Sequence, residues 1–247
     1  MALKYSRVLL KFSGEALMGQ NSFGLDAETL RNVVAEVKTL HDLGVEVGLV
    51  VGGGNIFRGA QIQGAGIERT TGDQMGMMAT VINALALRDV IEDMDMHAVV
   101  YSAMSIEGVS HGFHANHVKK SLAKGDIAIF AAGTGSPFFT TDTAAALRGI
   151  EIDADIVLKA TKVDGIYNAD PIKNPSAARY SELSYEQVIE QNLQVMDMTA
   201  FVLCREHSMP IRVFDMFKQD AVIRIVQGED EGTLVHNATP ENHDDEQ

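Results

Sequence analysis

Apolar positions along the chain follow two spacings, which predict alternating strands and helices. The segments Arg7–Phe12 and Val45–Val51 predict buried strands, because each contains a short apolar run rich in branched residues. Between them, apolar residues recur at helical spacing from Leu30 onward, after Asp26 as the predicted N-cap and before Gly44 as a stop signal. Strand, helix and strand in succession predict a parallel βαβ unit.

The same patterns continue to the end of the chain. They predict further strands at His97–Tyr101, Asp126–Ala132, Asp155–Ala160, Ile211–Phe214 and Thr233–Val235, and helices at Asp73–Ile91, Thr141–Leu147, Glu182–Gln191, Met198–His207 and Asp220–Val226. The predicted inner face of the Asp73–Ile91 helix consists of Met75, Met78, Ile82, Leu85 and Val90, with the methionines in the core or at a subunit interface. With no linker-like segment or repeat, residues 1–238 are predicted to form one α/β domain, and the acidic tail 239–247 is predicted to be disordered.

Composition excludes several classes of protein. With 46% hydrophobic residues in 247, the chain can bury a full core, which excludes intrinsic disorder. The net charge of −14 argues against sequence-independent binding to nucleic acid or to an anionic membrane, so an anionic ligand needs a local positive site. Cys204 is the only cysteine, which excludes a disulfide framework and a cysteine-based zinc site. No signal peptide or membrane-length apolar run is present, so a cytoplasmic protein is expected.

Three consecutive glycines, Gly52–Gly54, follow the second predicted strand. Without side chains, the backbone can turn sharply there and a ligand can approach its N–H groups. Asn55 is predicted to cap a following helix, whose N-terminus favours anions, and Arg58 adds a positive charge. The sequence matches neither the dinucleotide-binding fingerprint nor the Walker loop. A phosphate site is predicted, and a tight turn without a ligand stays an alternative.

Three more loops carry candidate chemistry. Lys11–Gly14 follows the first strand and is a second candidate phosphate-binding turn, with an ordinary strand-to-helix connection as the alternative. Gly133–Asp142 combines two glycines and several hydroxyls with Pro137–Phe139 before a helix, which suits a ligand with a flat polar ring and an anionic end. In Thr161–Pro171, Tyr167 can stack on a base, although a surface hairpin is the alternative.

Two further features have ordinary explanations. His111, His114 and His117 are spaced three apart, so a metal site has to be considered. No carboxylate lies between them and Gly112 weakens a helix, so hydrated or interface histidines are favoured and no protein-bound metal is predicted. Asp73, at the start of a predicted helix, has a simple role as its N-cap.

With these segments in view, the chain resembles the bacterial uridylate (UMP) kinases of the amino acid kinase family from about Tyr5 to Val235. The resemblance rests on Lys11-Phe-Ser-Gly-Glu-Ala, Gly52-Gly-Gly-Asn-Ile-Phe-Arg-Gly, Gly72-Asp-Gln-Met-Gly-Met, Gly133-Thr-Gly-Ser-Pro-Phe-Phe-Thr-Thr-Asp, Leu158-Lys-Ala-Thr-Lys-Val-Asp-Gly and Pro210-Ile-Arg-Val-Phe. The segment from Gly133 is the motif most specific to the uridylate kinases. The resemblance implies a three-layer αβα sandwich around a largely parallel sheet, a homohexamer, and transfer of the γ-phosphoryl group of ATP to UMP, with Mg²⁺ carried by ATP.

The resemblance also implies the site residues. The implied catalytic residues are Lys11, Arg58 and Asp155, the last ordering the phosphate-binding lysines. ATP would contact Lys11, Phe12, Ser13, Gly14, Gly54, Arg58, Thr161, Tyr167 and Asp170. UMP would contact Gly53, Asp73, Thr134, Gly135, Ser136, Pro137, Phe138, Phe139, Thr140 and Thr141. GTP as an activator and UTP as an inhibitor are expected for the family, and the implied effector region includes Gly19, Gln20, Asn21, Ser22, Phe23 and Gly24. The second lysine at the phosphates is left open between Lys159, Lys162 and Lys173.

Phosphoryl transfer fits this set of residues, because the reaction needs positioning and cations more than a nucleophile. The phosphate of UMP is mostly ionised at neutral pH, since the second pKa of a phosphate monoester is about 6, so no general base is required. Two alternatives stay open. One is a kinase of the same fold for a small acid such as N-acetylglutamate, aspartate or carbamate, which Pro137–Phe139 disfavours. The other is a non-catalytic nucleotide sensor, which the pair Lys11 and Asp155 disfavours.

Overall fold

A computed structural model of the chain describes residues 3–58, 66–171, 173–174, 176–193 and 196–238, and the predicted tail 239–247 lies outside the described residues. The strands are β1 (Arg7–Phe12), β2 (Glu46–Val51), β3 (Ala98–Ser102), β4 (His111–Gly112), β5 (Ile127–Ala131), β6 (Ile156–Thr161), β7 (Glu182–Ser184), β8 (Ile211–Asp215) and β9 (Thr233–His236). The helices are α1 (Ala27–Asp42), α2 (Arg69–Asp93), α3 (Ala115–Leu122), α4 (Thr141–Glu151), α5 (Tyr185–Glu190), α6 (Met198–Glu206) and α7 (Ala221–Val226), with a short 3₁₀ helix at Gly14–Leu17.

The strands form one sheet in the order β4-β3-β5-β2-β1-β6-β8-β9-β7. Every pairing from β4 to β8 is parallel, β9 runs antiparallel to β8, and β7 pairs with β9 in parallel. The predicted largely parallel sheet is therefore confirmed. Because parallel strands end at the same edge, the loops that follow β1, β2, β5 and β6 meet at the carboxyl edge of the sheet.

The sheet separates two hydrophobic cores. One core receives α1, α2 and α7, and the other receives α3, α4, α5 and α6, which confirms the three-layer αβα sandwich. Side chains alternate between the two along β1, so Leu10 and Phe12 face the first core and Leu9 faces the second. Lys11 follows the same alternation and points to the side of Leu9, where α4 lies.

The predicted inner face of α2 is wrong in part. Met75, Met78 and Ile82 are 38%, 42% and 48% exposed, whereas Leu87 and Ile91 are buried. The helix has apolar residues on more than one side, so spacing alone does not identify the side that packs on the sheet. The result is an exposed apolar stripe of Met75, Met78 and Ile82.

Two helix boundaries differ from the prediction in ways that affect function or topology. The helix α2 begins at Arg69, so Asp73 lies in its second turn and is not its N-cap. The predicted helix Glu182–Gln191 is the strand β7 followed by α5. Ser184 and Gln187 form a capping box, which fixes the start of α5 at Tyr185. The residues before Tyr185 therefore form a strand, although the apolar spacing predicts that the helix begins at Glu182.

None of the helices in the described part of the chain combines the length and the apolar character that crossing a bilayer requires.

Candidate active site

Two lysines from neighbouring strands meet one carboxylate at the carboxyl edge of the sheet. Lys11 in β1 lies opposite Lys159 in β6 in the parallel register, and their side chains are 8% and 12% exposed. Asp142, in the first turn of α4, forms an ion pair with both: Lys11 Nζ is 2.7 Å from Oδ1, and Lys159 Nζ is 2.7 Å from Oδ2. With all three groups ionised, the cluster carries a surplus positive charge at the carboxyl edge of the sheet.

Burial and charge act against each other in this cluster. Burial alone would raise the pKa of Asp142, but the ammonium groups of Lys11 and Lys159 outweigh it and hold the pKa below its ordinary value of 3.8. Burial lowers the pKa of Lys159, the charge of Lys11 lowers it further, and Asp142 only partly compensates. An additional anion at the two lysines would therefore be stabilised.

The start of α4 is fastened to the start of α6 through Asp197. The hydroxyl of Thr140, the N-cap of α4, accepts from Asp142 N at 3.0 Å and donates to Asp197 Oδ2. Thr143 Oγ1 donates to Asp197 Oδ1 at 2.9 Å, and Asp197 caps α6 by accepting from Ala200 N at 3.0 Å. Asp197 thus fixes the turn of helix that presents Asp142 to the lysines.

The first cleft opens between the loops after β2 and β5 and the first half of α2. It has a volume of about 190 Å³ and is lined by Gly53, Gly54, Phe57, Gly72, Asp73, Gly76, Met77, Thr80, Gly133, Thr134, Phe139, Thr140 and Thr141. Of the predicted UMP-binding residues, Gly53, Asp73, Thr134, Phe139, Thr140 and Thr141 line this cleft. Gly135, Ser136, Pro137 and Phe138 belong to the same loop but do not line it.

Asp73 holds the tip of that loop. Its Oδ2 accepts from the backbone N–H of Phe138 at 2.8 Å, and its carboxylate also accepts from Arg69 Nε at 2.8 Å. Phe138 adopts a left-handed backbone with φ of 74° and is 66% exposed. A bulky residue in that conformation is uncommon, and the bond to Asp73 is one interaction that holds it there.

The second cleft follows β6. It has a volume of about 470 Å³ and is lined by Thr161, Val163, Gly165, Ile166, Tyr167, Ala169, Asp170, Pro171, Leu193 and Val213. The predicted adenosine residues Thr161, Tyr167 and Asp170 all lie in this lining. Tyr167 donates from its hydroxyl to Asp164 Oδ1 at 2.5 Å. Lys159 precedes Thr161 of this lining by two positions on β6, and Asp142 follows Thr141 of the first cleft, whereas neither lysine is part of either lining.

The two glycine-containing turns pack against each other at the edge of the sheet. A side chain at Gly14 would bring its Cβ within 2.4 Å of Gly52 O, so only glycine fits at this close approach. Ser13 caps the 3₁₀ helix by accepting from Glu15 N at 3.2 Å. The turn after β1 and the turn after β2 therefore form one continuous surface of backbone groups.

Arg58 lies at the rim of this surface. Its Nη2 is 2.8 Å from Glu15 Oε1 and its Nε donates to Gly54 O at 3.1 Å, and the side chain is 44% exposed. Asn55 does not cap a helix as predicted. It is buried, where its amide bonds to Asn83 and to Gly24 O.

The structure places Asp155 away from the lysines. Asp155 precedes β6 at the amino edge of the sheet, where its Oδ2 accepts from Ser6 N at 2.6 Å and Arg7 N at 2.8 Å. Lys159 lies four residues further along the strand, about 13 Å away at about 3.3 Å per residue. The prediction that Asp155 orders the phosphate-binding lysines is wrong, since Asp142 occupies that position.

Of the three lysines left open from the sequence, the structure brings Lys159 together with Lys11. Lys159 shares Asp142 with Lys11, whereas Lys162 is exposed beyond the end of β6 and Lys173 is 85% exposed beside Asp170. The three histidines do not share a helix face: His111 lies in β4, His114 precedes α3, and His117 lies within it. Within the residues that the structure describes, no three His, Cys, Asp or Glu side chains are grouped to hold a metal ion.

Comparison of the sequence and the structure with known proteins identifies the family of this chain. The model of the amino acid kinase family matches residues 6–215. This chain belongs to the amino acid kinase family.

Within the family, the chain is similar to uridylate kinases. The chain is 84% identical to the uridylate kinase of Hydrogenovibrio crunogenus over 236 residues, which cover 96% of this chain and all of that protein. It is 54% identical to the uridylate kinase of Saccharophagus degradans, with 96% of each chain covered. The crystal structure of UMP kinase from Bacillus anthracis superposes with a TM-score of 0.93 at 38% identity, covering 95% of this chain and 97% of that one. The resemblance stated from the sequence motifs is confirmed.

Two aspartates of the lysine cluster and its support, Asp142 and Asp197, were not singled out from the sequence as site residues. Lys159 was named only as one of three candidates for the second lysine. Lys159 did carry a signal, because a lysine inside the apolar run of β6 is rarely buried without a partner. Asp142 and Asp197 had no such signal, since an aspartate at the start of a helix has an ordinary explanation in capping and the helix dipole.

Proposed function

We propose that this protein is a nucleoside monophosphate kinase that transfers the γ-phosphoryl group of ATP to UMP, forming ADP and UDP. The observation that carries the proposal is the buried pair Lys11 and Lys159, bridged by Asp142. Asp142 follows Thr141 of the first cleft, and Lys159 lies two residues before Thr161 of the second. Two anionic substrates repel each other, and a surplus positive charge in a site of low dielectric offsets that repulsion. The similarity to uridylate kinases supports UMP as the acceptor.

We assign UMP to the first cleft and ATP to the second. In the first cleft, Gly53 would bind the phosphate, Asp73 the ribose hydroxyls, and the loop Thr134–Thr141 the uracil ring. In the second cleft, Thr161, Tyr167 and Asp170 would bind the adenosine, while Lys11, Phe12, Ser13, Gly14, Gly54 and Arg58 would bind the phosphates. The connection of the lysine cluster to Thr141 of the first cleft and to Thr161 of the second supports this assignment, because the γ-phosphoryl group has to pass from one to the other.

The chemistry follows from charge and geometry. A phosphate oxygen of UMP attacks the γ-phosphorus of ATP, a new O–P bond forms, and the bond from the γ-phosphorus to the bridging oxygen breaks with its electron pair left on ADP. The attacking phosphate is largely dianionic at neutral pH because its second pKa is about 6, so no side chain has to remove a proton. Lys11 and Lys159 would neutralise charge on the transferred group, and Arg58 would contribute from the rim.

Mg²⁺ would enter on the ATP phosphates. The two carboxylates at the lysine pair are already engaged, Asp142 by both ammonium groups and Asp197 by Thr140, Thr143 and Ala200. When bound, the ion would offset charge on the β- and γ-phosphates. The residues on this chain hold and orient the phosphates around it.

We also propose that the protein is cytoplasmic, assembles as a homohexamer and is regulated by GTP and UTP through a region that includes Gly19–Gly24. The exposed stripe of Met75, Met78 and Ile82 supports self-association, because burying it would remove apolar surface from water. The bonds from Gly24 N to Asn55 O at 2.8 Å and from Asn55 Nδ2 to Gly24 O at 2.9 Å support regulation, since they connect this loop to the glycine turn.

A coupled assay of ADP release tests the proposal. The protein receives ATP and Mg²⁺ with UMP, CMP, dTMP, N-acetylglutamate or aspartate in parallel. We expect rapid turnover with UMP and turnover at least about tenfold slower with the others. Activity only with a small acid would make the protein a small-acid kinase, and nucleotide binding without turnover of any acceptor would make it a sensor.

Replacing Lys11 tests the chemistry directly. We expect Lys11→Ala to fold and to lose on the order of 10²–10³-fold in kcat, the usual cost of removing one group that stabilises transition-state charge. Lys124→Ala, at an exposed lysine after α3, is the matched control and should keep kcat within about twofold of the wild type. A Lys11→Ala variant with near-normal kcat would remove Lys11 from the mechanism.

A further inference from the structure

A buried pair of side-chain amides lies behind the glycine turn. Asn55 and Asn83 are 1% and 0% exposed, and neither lines the first cleft. Each amide donates to the other, with Asn55 Nδ2 at 3.0 Å from Asn83 Oδ1 and Asn83 Nδ2 at 2.7 Å from Asn55 Oδ1. Burying two amides is costly unless every polar atom is paired, so this pair requires a specific partner for each N–H.

Two backbone carbonyls complete the network. Asn83 Nδ2 donates to Gly52 O at 2.7 Å, and Asn55 Nδ2 donates to Gly24 O at 2.9 Å. A backbone carbonyl can only accept, so each amide must present its nitrogen to the carbonyl and its oxygen to the other amide. The two asparagines are therefore equivalent in burial and bonding and differ in the carbonyl that each one holds.

The bond from Asn83 to Gly52 O fixes the direction of the next peptide N–H. In a planar trans peptide, the carbonyl of Gly52 and the N–H of Gly53 point in opposite directions. Because Asn83 holds the carbonyl toward α2, the N–H of Gly53 points away from Asn83. Three consecutive glycines have no side chains to restrict this peptide, so the external bond selects one orientation among several.

The N–H of Gly53 is available to a ligand. Gly53 is partly exposed and lines the first cleft, and within the described ranges of the chain its N–H donates to no protein acceptor. By contrast, the N–H of Gly52 continues the β1–β2 ladder by donating to Phe12 O at 3.1 Å. The peptide between Gly52 and Gly53 is thus the point where the backbone changes from pairing with the sheet to facing the cleft.

We propose that Asn83 is a positioning residue that orients the Gly52–Gly53 peptide so that the Gly53 N–H binds the phosphate of the acceptor nucleotide. The inference rests on the proposed function, because it takes UMP as the occupant of the first cleft. Asn55 has the complementary role of joining the loop at Gly24 to the same turn. Asn83 touches neither substrate and acts only through the peptide that it holds.

The chain offers a matched pair of variants for the test. Asn83→Asp and Asn55→Asp are nearly isosteric, equally buried, and each loses two donated hydrogen bonds. Only Asn83→Asp removes the donor to Gly52 O. We expect Asn83→Asp to raise KM for UMP by about 10- to 100-fold, the effect of a lost or misdirected hydrogen bond to a charged group, while KM for ATP stays within about threefold.

Asn55→Asp is the control for Asn83→Asp. Asn55→Asp should keep KM for UMP within about threefold of the wild type, although both variants should melt at a lower temperature. If KM for UMP rises equally in the two variants, or if KM for UMP and for ATP rise equally in Asn83→Asp, Asn55 and Asn83 have only a structural role. If Asn83→Asp does not fold, Asn83→Ala and Asn55→Ala replace the pair, with UMP binding measured by calorimetry. A wild-type protein that neither binds nor phosphorylates UMP would overturn the proposed function itself, and the phosphate role of Asn83 with it.

Discussion

Two aspartates at opposite ends of the β1–β6 pair perform different tasks. Asp142, at the carboxyl edge, is mostly buried and bridges two ammonium groups. Asp155, at the amino edge, is exposed and accepts from the backbone N–H groups of Ser6 and Arg7. The same type of side chain pairs with two lysine ammonium groups at one edge and joins two strand ends at the other. The difference shows that the partners of a carboxylate depend on the edge of the parallel sheet at which it lies, and not on the residue type alone.

Neutralising Asp142 is the most direct test of the different roles of Asp142 and Asp155. We expect Asp142→Asn to lower kcat by on the order of 10²–10³-fold, because an amide can accept from one lysine but turns an N–H toward the other. The ammonium groups of Lys11 and Lys159 would then repel each other, and Lys159, whose pKa burial already lowers, would lose its proton or move away. Steady-state kinetics with ATP and UMP measure the effect, and circular dichroism checks the fold.

If Asp142→Asn retains a tenth or more of the wild-type kcat, the carboxylate bridge between Lys11 and Lys159 is not needed for turnover. Asp155→Asn is the matched control, because it makes the same chemical change at the other edge. Its kcat should stay within about twofold of the wild type.

The second prediction concerns stability at the amino edge. Asp155→Asn should lower the free energy of unfolding by about 1 kcal/mol, since hydrogen bonds from Ser6 and Arg7 lose their charged acceptor but water reaches the site. For a chain of this size, that corresponds to a fall in melting temperature of about 2–4 °C. Thermal unfolding followed by circular dichroism measures it. A stable Asp155→Asn variant with impaired catalysis would invert the comparison and return Asp155 to the active site.

Much of the fold could be predicted from the sequence, because the apolar runs of β1, β2, β5 and β6 are short, branched and separated by helical patterns. Parallel connections then require the loops after these strands to meet at one edge, and the glycine turns and the loop Gly133–Asp142 do meet there. From the sequence, only the family resemblance brought these loops together. The register of β1 against β6 could not be predicted, because it joins residues far apart in sequence. Without that register, Lys159 cannot be placed opposite Lys11.

The omission of Asp142 and the wrong cap prediction for Asn55 have a common physical cause. Capping rules describe what Asp or Asn does to its own helix, but they do not say what comes from another element. Asp142 lies near a helix start as the rules allow, yet its carboxylate faces two strands. Asn55 satisfies the sequence pattern of a cap, yet burial and the facing Asn83 give its amide a different partner. Long-range pairing therefore decides the role of a polar residue that local rules leave open.

The smallest expected effect is the pH dependence of the Asp142 contribution to stability. The folded-state pKa of Asp142 lies below its ordinary value of 3.8, since two ammonium groups outweigh the burial that would raise it. Its stabilising contribution is therefore present above pH 3.8 and is lost as the pH falls through the folded-state pKa, because the unfolded chain binds the proton more readily. Asp142→Asn has no such group to titrate, so its free energy of unfolding should approach that of the wild type as the pH falls.

Denaturant titrations of both proteins between pH 6 and pH 3 measure this difference, whose slope cannot exceed about 1.4 kcal/mol per pH unit for one group. Hydrogen bonds from Thr29 lower the pKa of Asp26, and Glu231 has a lowered pKa because bonds from Lys218 and Arg224 outweigh its burial. Those carboxylates are present in both proteins, so subtracting the two curves isolates Asp142. A difference that stays constant over this range would mean that Asp142 is not held ionised by the lysines, and the contrast between the two edges of the sheet would then rest on geometry alone.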